Sequence, residues 1–335
     1  MNYIKEIIAS LTLLLMSSCS MMHDDMSDCR RELRVSFSYD MNMKFADAFA
    51  GSVSSVTLYA YDSSGRLAMH KTEPAADIKA RGGYMTLDNL APAHYTLIVW
   101  AEGEERHTDS YIYGLPTSES PSPEALDCRI RRNSRCIAHD LTPLYHGLAV
   151  KADLTMQGYG VKTVNVPLTK DTNVIRVVLQ NASGKRLDSN SFAFYIDDDN
   201  SWLAYDNSPL ADDSITYRPW SQYDGTVGGS AMPSDDGTAV SAVVAETTVN
   251  RLFASKHPRL RVVNTTNGKT VFSIPLIDYA LLVKGNYNRS MSDQEYLDRQ
   301  DEYNFVFFVD DNLNWLSASI IVNSWRVVLH DTDLK

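Results

Sequence analysis

The residues that could do chemistry are few and loosely grouped. Asp197-Asp198-Asp199-Asn200 is the densest acidic run, and closely spaced carboxylates are what a calcium loop uses. Such loops also need a glycine turn and a distal bidentate glutamate at fixed offsets, and neither occurs here. The run reads instead as a polar turn from Ile196 to Trp202, and Asp310-Asp311-Asn312, between two apolar strands, reads the same way. His139 and His146 stand seven residues apart, too far for one helix face to guarantee a shared ligand, so both are assigned surface or loop roles. Trp202, Tyr205, Tyr217, Trp220 and Tyr223 could line a sugar platform or cover a sandwich edge. G-x-S-x-G, H-E-x-x-H, P-loop and G-x-G-x-x-G motifs are all missing. With no positioned nucleophile and base, the reading is a binding protein and not an enzyme, with no cofactor and no small-molecule substrate.

The four cysteines carry more information. Cys19 ends Leu15-Met16-Ser17-Ser18-Cys19, which is similar to a bacterial lipobox: an apolar residue, two small residues, then the cysteine that is lipidated. Lys5 and the apolar run Ile7–Met16 in front of it have the layout of a secretory signal over residues 1–18, too short to span a bilayer. Residues 19–30 are polar and acidic, with His23-Asp24-Asp25, and read as a tether. Export into an oxidising compartment leaves Cys29, Cys128 and Cys136 to form one disulfide with one thiol over. Cys128 with Cys136 and Cys29 with Cys128 are both open. No C-x-x-C pair or histidine cluster accompanies them, so no metal is expected.

These residues need a scaffold, and the pattern is that of short strands. Leu33, Val35, Phe37 and Tyr39 alternate with polar residues, as do Val56, Leu58 and Ala60, at the period of a half-buried strand. Asp62-Ser63-Ser64-Gly65 turns the chain into the next strand. Ser292-Asp293-Gln294-Glu295 has capping-box spacing and predicts the one helix, running through Asp298. Ile320–Leu329 reads as a single closing strand. Strands near ten residues apart place the chain in the all-β class, as sandwiches or barrels. A division near residue 150 gives an N-terminal unit, 31–150, and a C-terminal unit, 151–335. The stretch 224–237 is the largest loop. The net charge of −11 leaves no surplus of cations to displace phosphate counterions, so nucleic acid is excluded as a partner.

Several strings together resemble the family of fimbrial anchor lipoproteins of type V, donor-strand pili. They are the lipobox, Leu33–Tyr39, Val56–Asp62 with Gly65, Leu90-Ala91-Pro92 through Trp100, Leu144-Tyr145-His146-Gly147 and Tyr205-Asp206-Asn207. Glu246, Arg251-Leu252, Tyr296-Leu297-Asp298-Arg299-Gln300, the aromatic strand Tyr303–Val309 and Trp315–Val328 complete the set. Ala93-His94 departs from it where a glycine is usual before Tyr95. The resemblance implies two transthyretin-like β-sandwich domains and lipid attachment in the cell outer membrane, facing outward. It also implies a fimbrial stalk subunit as partner, bound by β-strand addition. A stalk or tip pilin, or a surface glycan-binding lipoprotein, are the competing readings. Ile320–Leu329 is apolar on both sides and suits the chain's own sheet better than a free donor strand, which favours an acceptor. If Cys19 bears the lipid, Cys19→Ala protein should wash off membranes or stay unprocessed, and fractionation followed by immunoblotting checks this.

Overall fold

The computed structural model describes residues 31–118, 120–155, 160–227, 240–285, 288–317 and 319–328. Cys19 and Cys29 lie outside them. Alternation builds the first strand as expected: Leu33, Val35 and Phe37 are buried while the residues between them are half-buried. That strand, β1 (Arg31–Ser38), belongs to a seven-stranded sheet. The order is β3 (Leu67–Pro74), β2 (Ser55–Tyr61), β5 (His94–Glu102), β9 (Leu144–Asp153), β10 (Gly160–Lys170), β1 and β4 (Met85–Asp88). All neighbours are antiparallel except β1 and β10, which run parallel from Arg31 opposite Gly160 to Ser38 opposite Pro167.

This sheet curls until its two edges approach. Lys71 on β3 donates through Nζ to the Thr86 carbonyl on β4 at 2.7 Å, although no backbone ladder joins the two strands. The interior of this near-barrel holds Leu33, Val35, Leu58, Met85, Leu97, Val99 and Val166. A short helix, Ala75–Ala80, lies beside the seam and buries Ile78 in the same core.

Two further sheets face each other. One has the order β15 (Ser221–Val227), β16 (Val240–Asn250), β11 (Thr172–Asn181), β19 (Glu302–Val309), β20 (Ser319–Val322) and β21 (Trp325–Val328). The other has the order β18 (Thr270–Pro275), β17 (Arg259–Asn264), β12 (Phe192–Asp198), β14 (Ile215–Tyr217) and β8 (Cys136–Ile137). Phe307 of the first meets Phe272 of the second, ring centres 4.3 Å apart. A small sheet of β13 (Trp202–Ala204), β7 (Asp127–Ile130) and β6 (Tyr111–Gly114) completes the set. The core between these sheets also takes in Tyr59, Tyr61, Ile98 and Trp100 from β2 and β5. Those two strands are therefore covered on both faces, and the two cores share a wall.

Three readings from sequence need correction. The boundary near residue 150 falls inside β9, and β10, assigned to the second unit, returns to pair with β1 in the first sheet. Strand pattern shows that a segment is a strand but carries no information on its distant partner. Ile320–Leu329 is not one strand, because Asn323 and Ser324 take φ of 48° and 72° and turn it into the hairpin β20–β21. Residues at positive φ in both central places are the mark of a primed two-residue turn. The stretch from Asp224 to Val227, read as loop, is the end of β15. The helix Leu276–Leu281 escaped notice because its Leu276, Ile277, Tyr279 and Ala280 are all buried, leaving no polar face to set a period.

Gly147 shows how tightly β9 is packed. A Cβ placed there would stand 2.5 Å from Val166 Cγ1 and 2.8 Å from Val99 Cβ. Gly147→Ala should cost roughly 1–3 kcal/mol by overpacking, read as a lower melting temperature.

Candidate functional site

Four of the strings that carry the resemblance, those holding His146, Tyr205–Asn207, Arg251 and Asp298, meet at one buried junction. Asp171 sits in the single-residue connection between β10 and β11, where the chain leaves the near-barrel sheet for the six-stranded one. Its side chain is wholly buried, and its N–H donates to the Leu144 carbonyl at 2.7 Å. Arg251, just past β16, donates two N–H groups to the two oxygens of Asp298 at 2.8 and 2.7 Å. A third goes to the Asn207 carbonyl at 2.7 Å, and its Nε lies 3.8 Å from Asp171 Oδ1. Asn207, held at φ 65° in a turn after β13, donates Nδ2 to the same Asp171 oxygen at 2.9 Å.

Local structure presents each partner. Ser292 caps the helix Asp293–Arg299 by accepting from the Glu295 N–H at 3.0 Å, as the spacing predicts. The Glu295 carboxylate accepts from Arg299 Nε at 2.9 Å. One turn of that helix brings Gln294 and Asp298 to the same face, where Gln294 donates to Asp298 at 2.9 Å and to the Leu252 carbonyl at 3.0 Å. His146 has Nε2 2.9 Å from the Tyr205 carbonyl and its ring edge-on to Trp100. Burial lowers its pKa to about 4, so it is neutral at pH 7. Further out, the Tyr39 hydroxyl donates to Asp301 at 2.7 Å and Asn173 donates to the Gln300 carbonyl at 2.8 Å.

The electrostatics are not symmetrical. Burial pushes the Asp171 carboxyl up to about 7, against the lowering pull of Arg251 and of the Asn207 hydrogen bond. Its Oδ2 has no partner among the described residues. Arg251 is held protonated chiefly through the Asp298 hydrogen bonds, in spite of its burial. The arrangement contains no nucleophile with a base beside it. What it can do is fix two sheets against each other.

The other candidates are dispersed. Asp197 accepts from Thr216 at 2.6 Å and pairs with Arg261, and Asp199 pairs with Lys256. Asn200 is buried, its amide donating to the Asn250 and Arg251 carbonyls and its carbonyl accepting from the Asn250 side-chain amide. Asp310 folds its own turn by accepting from the Asn312 and Asn314 N–H groups. His139 stacks on His107, ring centres 3.8 Å apart, whereas His146 meets the edge of Trp100 and the Tyr205 carbonyl. Of the aromatic group, Tyr217 is buried with its hydroxyl on Asn200, and Trp202 lies under the Arg129 guanidinium. Only Trp220 and Tyr223 are exposed, so the five make no common platform. Cys128 and Cys136 are not bonded to each other, and neither has a disulfide partner among the described residues: Cys128 points into the core from β7, while Cys136 is exposed on β8 in another sheet. Sequence reading passed over Asp171, because Thr169-Lys170-Asp171-Thr172 looks like an ordinary polar turn.

Residues 26–331 match the family model described as fimbrillin-A associated anchor proteins Mfa1 and Mfa2. A candidate adhesin from Bacteroides thetaiotaomicron is 32% identical over 91% of this chain and 99% of its own, with a TM-score of 0.78. A candidate polysaccharide-binding protein of the same organism is 29% identical over 91% and 100%, with a TM-score of 0.76. The fimbrial anchor protein Mfa2 from Porphyromonas gingivalis shares the fold, with a TM-score of 0.67 at 16% identity over 90% and 100%. No curated protein matches the chain.

Titration of Asp171 gives this junction a signature. Its folded pKa of about 7 lies above the ordinary 3.8, so between those values the folded chain holds a proton that the unfolded chain has lost. Its contribution is then complete below about pH 4 and lost as the pH rises through 7. Asp171→Asn has no such titration, so its stability relative to wild type should improve steadily from pH 4 to 7 and then level off. Melting temperatures across that range check this; a variant that loses ground as pH rises would mean an ionised, stabilised carboxylate.

Proposed function

The chain belongs to the Mfa2 family of fimbrillin-A associated anchor proteins, and on that premise we propose that it holds the base of a fimbria at the cell surface by taking up a strand from the first stalk subunit. Attachment would come from lipid on Cys19 in the outer membrane, which rests on the lipobox in the sequence. The near-barrel and the facing pair of sheets would correspond to the two sandwich units that the family resemblance implies.

The observation that carries strand uptake is the seam of the near-barrel. β3 and β4 run antiparallel to one another with no ladder between them, and a side chain bridges them. A missing strand leaves a gap of about 10 Å, twice the usual spacing, and an extended lysine with one hydrogen bond spans a distance of that order. An incoming segment would gain main-chain bonds on both sides there, whereas the edges at β15, β18 and β21 offer one side only. The seam is also guarded. Lys71 pairs with Glu73, Glu73 pairs with Arg81, and inward charges of this kind discourage unwanted strand addition. At the far end β20 and β21 are taken up in the chain's own sheet, which favours an accepting role over a donating one.

Hydrogen exchange on the protein bound to purified stalk subunit tests the site. New protection should appear in Leu67–Pro74 and Met85–Asp88, and Lys71→Ala should associate faster because its bridge no longer has to break. Protection confined to β15, β18 or β21 would rule the seam out.

A further inference from the structure

Phe45 does not suit its position. Its φ is 51°, in the region that bulky side chains avoid, yet 59% of the residue is exposed, so burial does not explain the conformation. The loop nevertheless holds it firmly. The Phe45 N–H donates to the Asn42 carbonyl at 3.1 Å, and the buried Asn42 amide donates to the carbonyls of Tyr39 at 2.9 Å and Ala46 at 2.8 Å. Asp47 accepts from the backbone N–H groups of Tyr39 at 2.8 Å and Phe49 at 3.0 Å. From the C-terminal side, Arg299 donates to the Asp40 carbonyl at 3.0 Å, and its guanidinium carbon stands 4.6 Å from the ring centre. Arg299 is already paired with Glu295 at 2.9 Å, so it does not need the ring. Its chain neighbours Lys44 and Ala46 line a cleft of about 550 Å³ between this loop and Arg299–Glu302, while Phe45 itself is not part of the lining.

We infer that Phe45 is a pre-organised anchor for a protein partner, its ring entering an apolar pocket whose acidic rim meets Lys44. Strained residues persist where the surrounding fold over-determines them, and they concentrate at sites that clamp a ligand. A ring already held in its bound position loses little freedom on association. Lys44, beside it, is exposed and has no ion pair among the described residues, which gives the acidic rim its counterpart. A protein fits better than a sugar. Aromatic residues with a basic neighbour are what interface centres use, whereas the loop's own backbone donors at residues 39, 45 and 49 are consumed internally.

The inference rests on the fimbrial reading only for its probe, the purified stalk subunit. Phe45→Asn removes the ring and keeps a residue that tolerates the left-handed region. It should melt at or above the wild-type temperature and bind the stalk subunit at least about tenfold more weakly. Lys44→Glu should also weaken binding, more so at low salt. A clearly lower melting temperature for Phe45→Asn would make the ring a prop of the fold and overturn the inference, as would affinity within about twofold of wild type. If the wild-type chain itself does not bind the stalk subunit, the fimbrial reading fails and that subunit is excluded as partner of the ring. The melting comparison then still decides whether the ring serves the fold.

Discussion

Arg251 carries a charge that the fold has largely removed from water, with 14% of its side chain exposed. Taking such a cation out of water costs several kcal/mol unless its donors are met with good geometry. The partners come from distant stretches: Asp298 from the capped helix, Asn207 from a left-handed turn, Asp171 from the connection between two sheets. None can shift without leaving a donor or a carboxylate unpaired. A buried ion network is weak evidence of stability, and its best-attested use is to fix one arrangement over others. Here the arrangement chosen is the pitch of the near-barrel against the six-stranded sheet, since Asp171 is the only residue between β10 and β11.

That dependence accounts for which features were legible in the sequence. β1 alternates, Ser292 stands three residues before Glu295, and Asp62 and Gly65 mark a turn; each is a local decision, and each is found where the pattern puts it. The pairing of β10 with β1 is a decision between residues some 128 positions apart, as in the Ser36–Val164 contact, and no window of pattern contains it. The junction was hidden for another reason. Periodicity assigns charged residues to the surface, so Asp171, Arg251 and Asp298 read as solvated, although the last two stood inside strings that the family resemblance had picked out. A buried ion network is visible only when partners from different elements are superposed.

The sheet edges bear on the same question of specificity. Among the described residues the four sheets have a total of eight edge strands, and open edges invite unwanted pairing. Several are too short to template much: β4, β8, β13 and β21 have four, two, three and four residues. β3, with eight residues, is long enough to be a hazard, and it is the one that carries inward-facing Lys71 and Glu73. Protection is thus strongest where a strand would find the most complete set of partners. A guard of side chains, unlike a covering helix, can be displaced by a segment that supplies better hydrogen bonds.

On the proposed reading the chain must also carry load. Tension would enter through the tether at the start of β1 and leave through a strand seated beside β4, which is paired directly with β1. The shortest path between them therefore crosses one antiparallel ladder, with Leu33 and Val35 opposite Leu87 and Met85 in the core. A pull along the strands loads the bonds of a ladder together rather than one after another, so even a short β4 resists if its neighbours share the force. β1 is braced on its other side by eight parallel pairings to β10, and β10 runs into Asp171. The buried junction then keeps the force in the plane of the sheet, because the near-barrel cannot tilt on the six-stranded sheet without parting Arg251 from Asp298 and Asn207. Such a network is well placed for this, since its bonds are lost only when the two sheets change their angle.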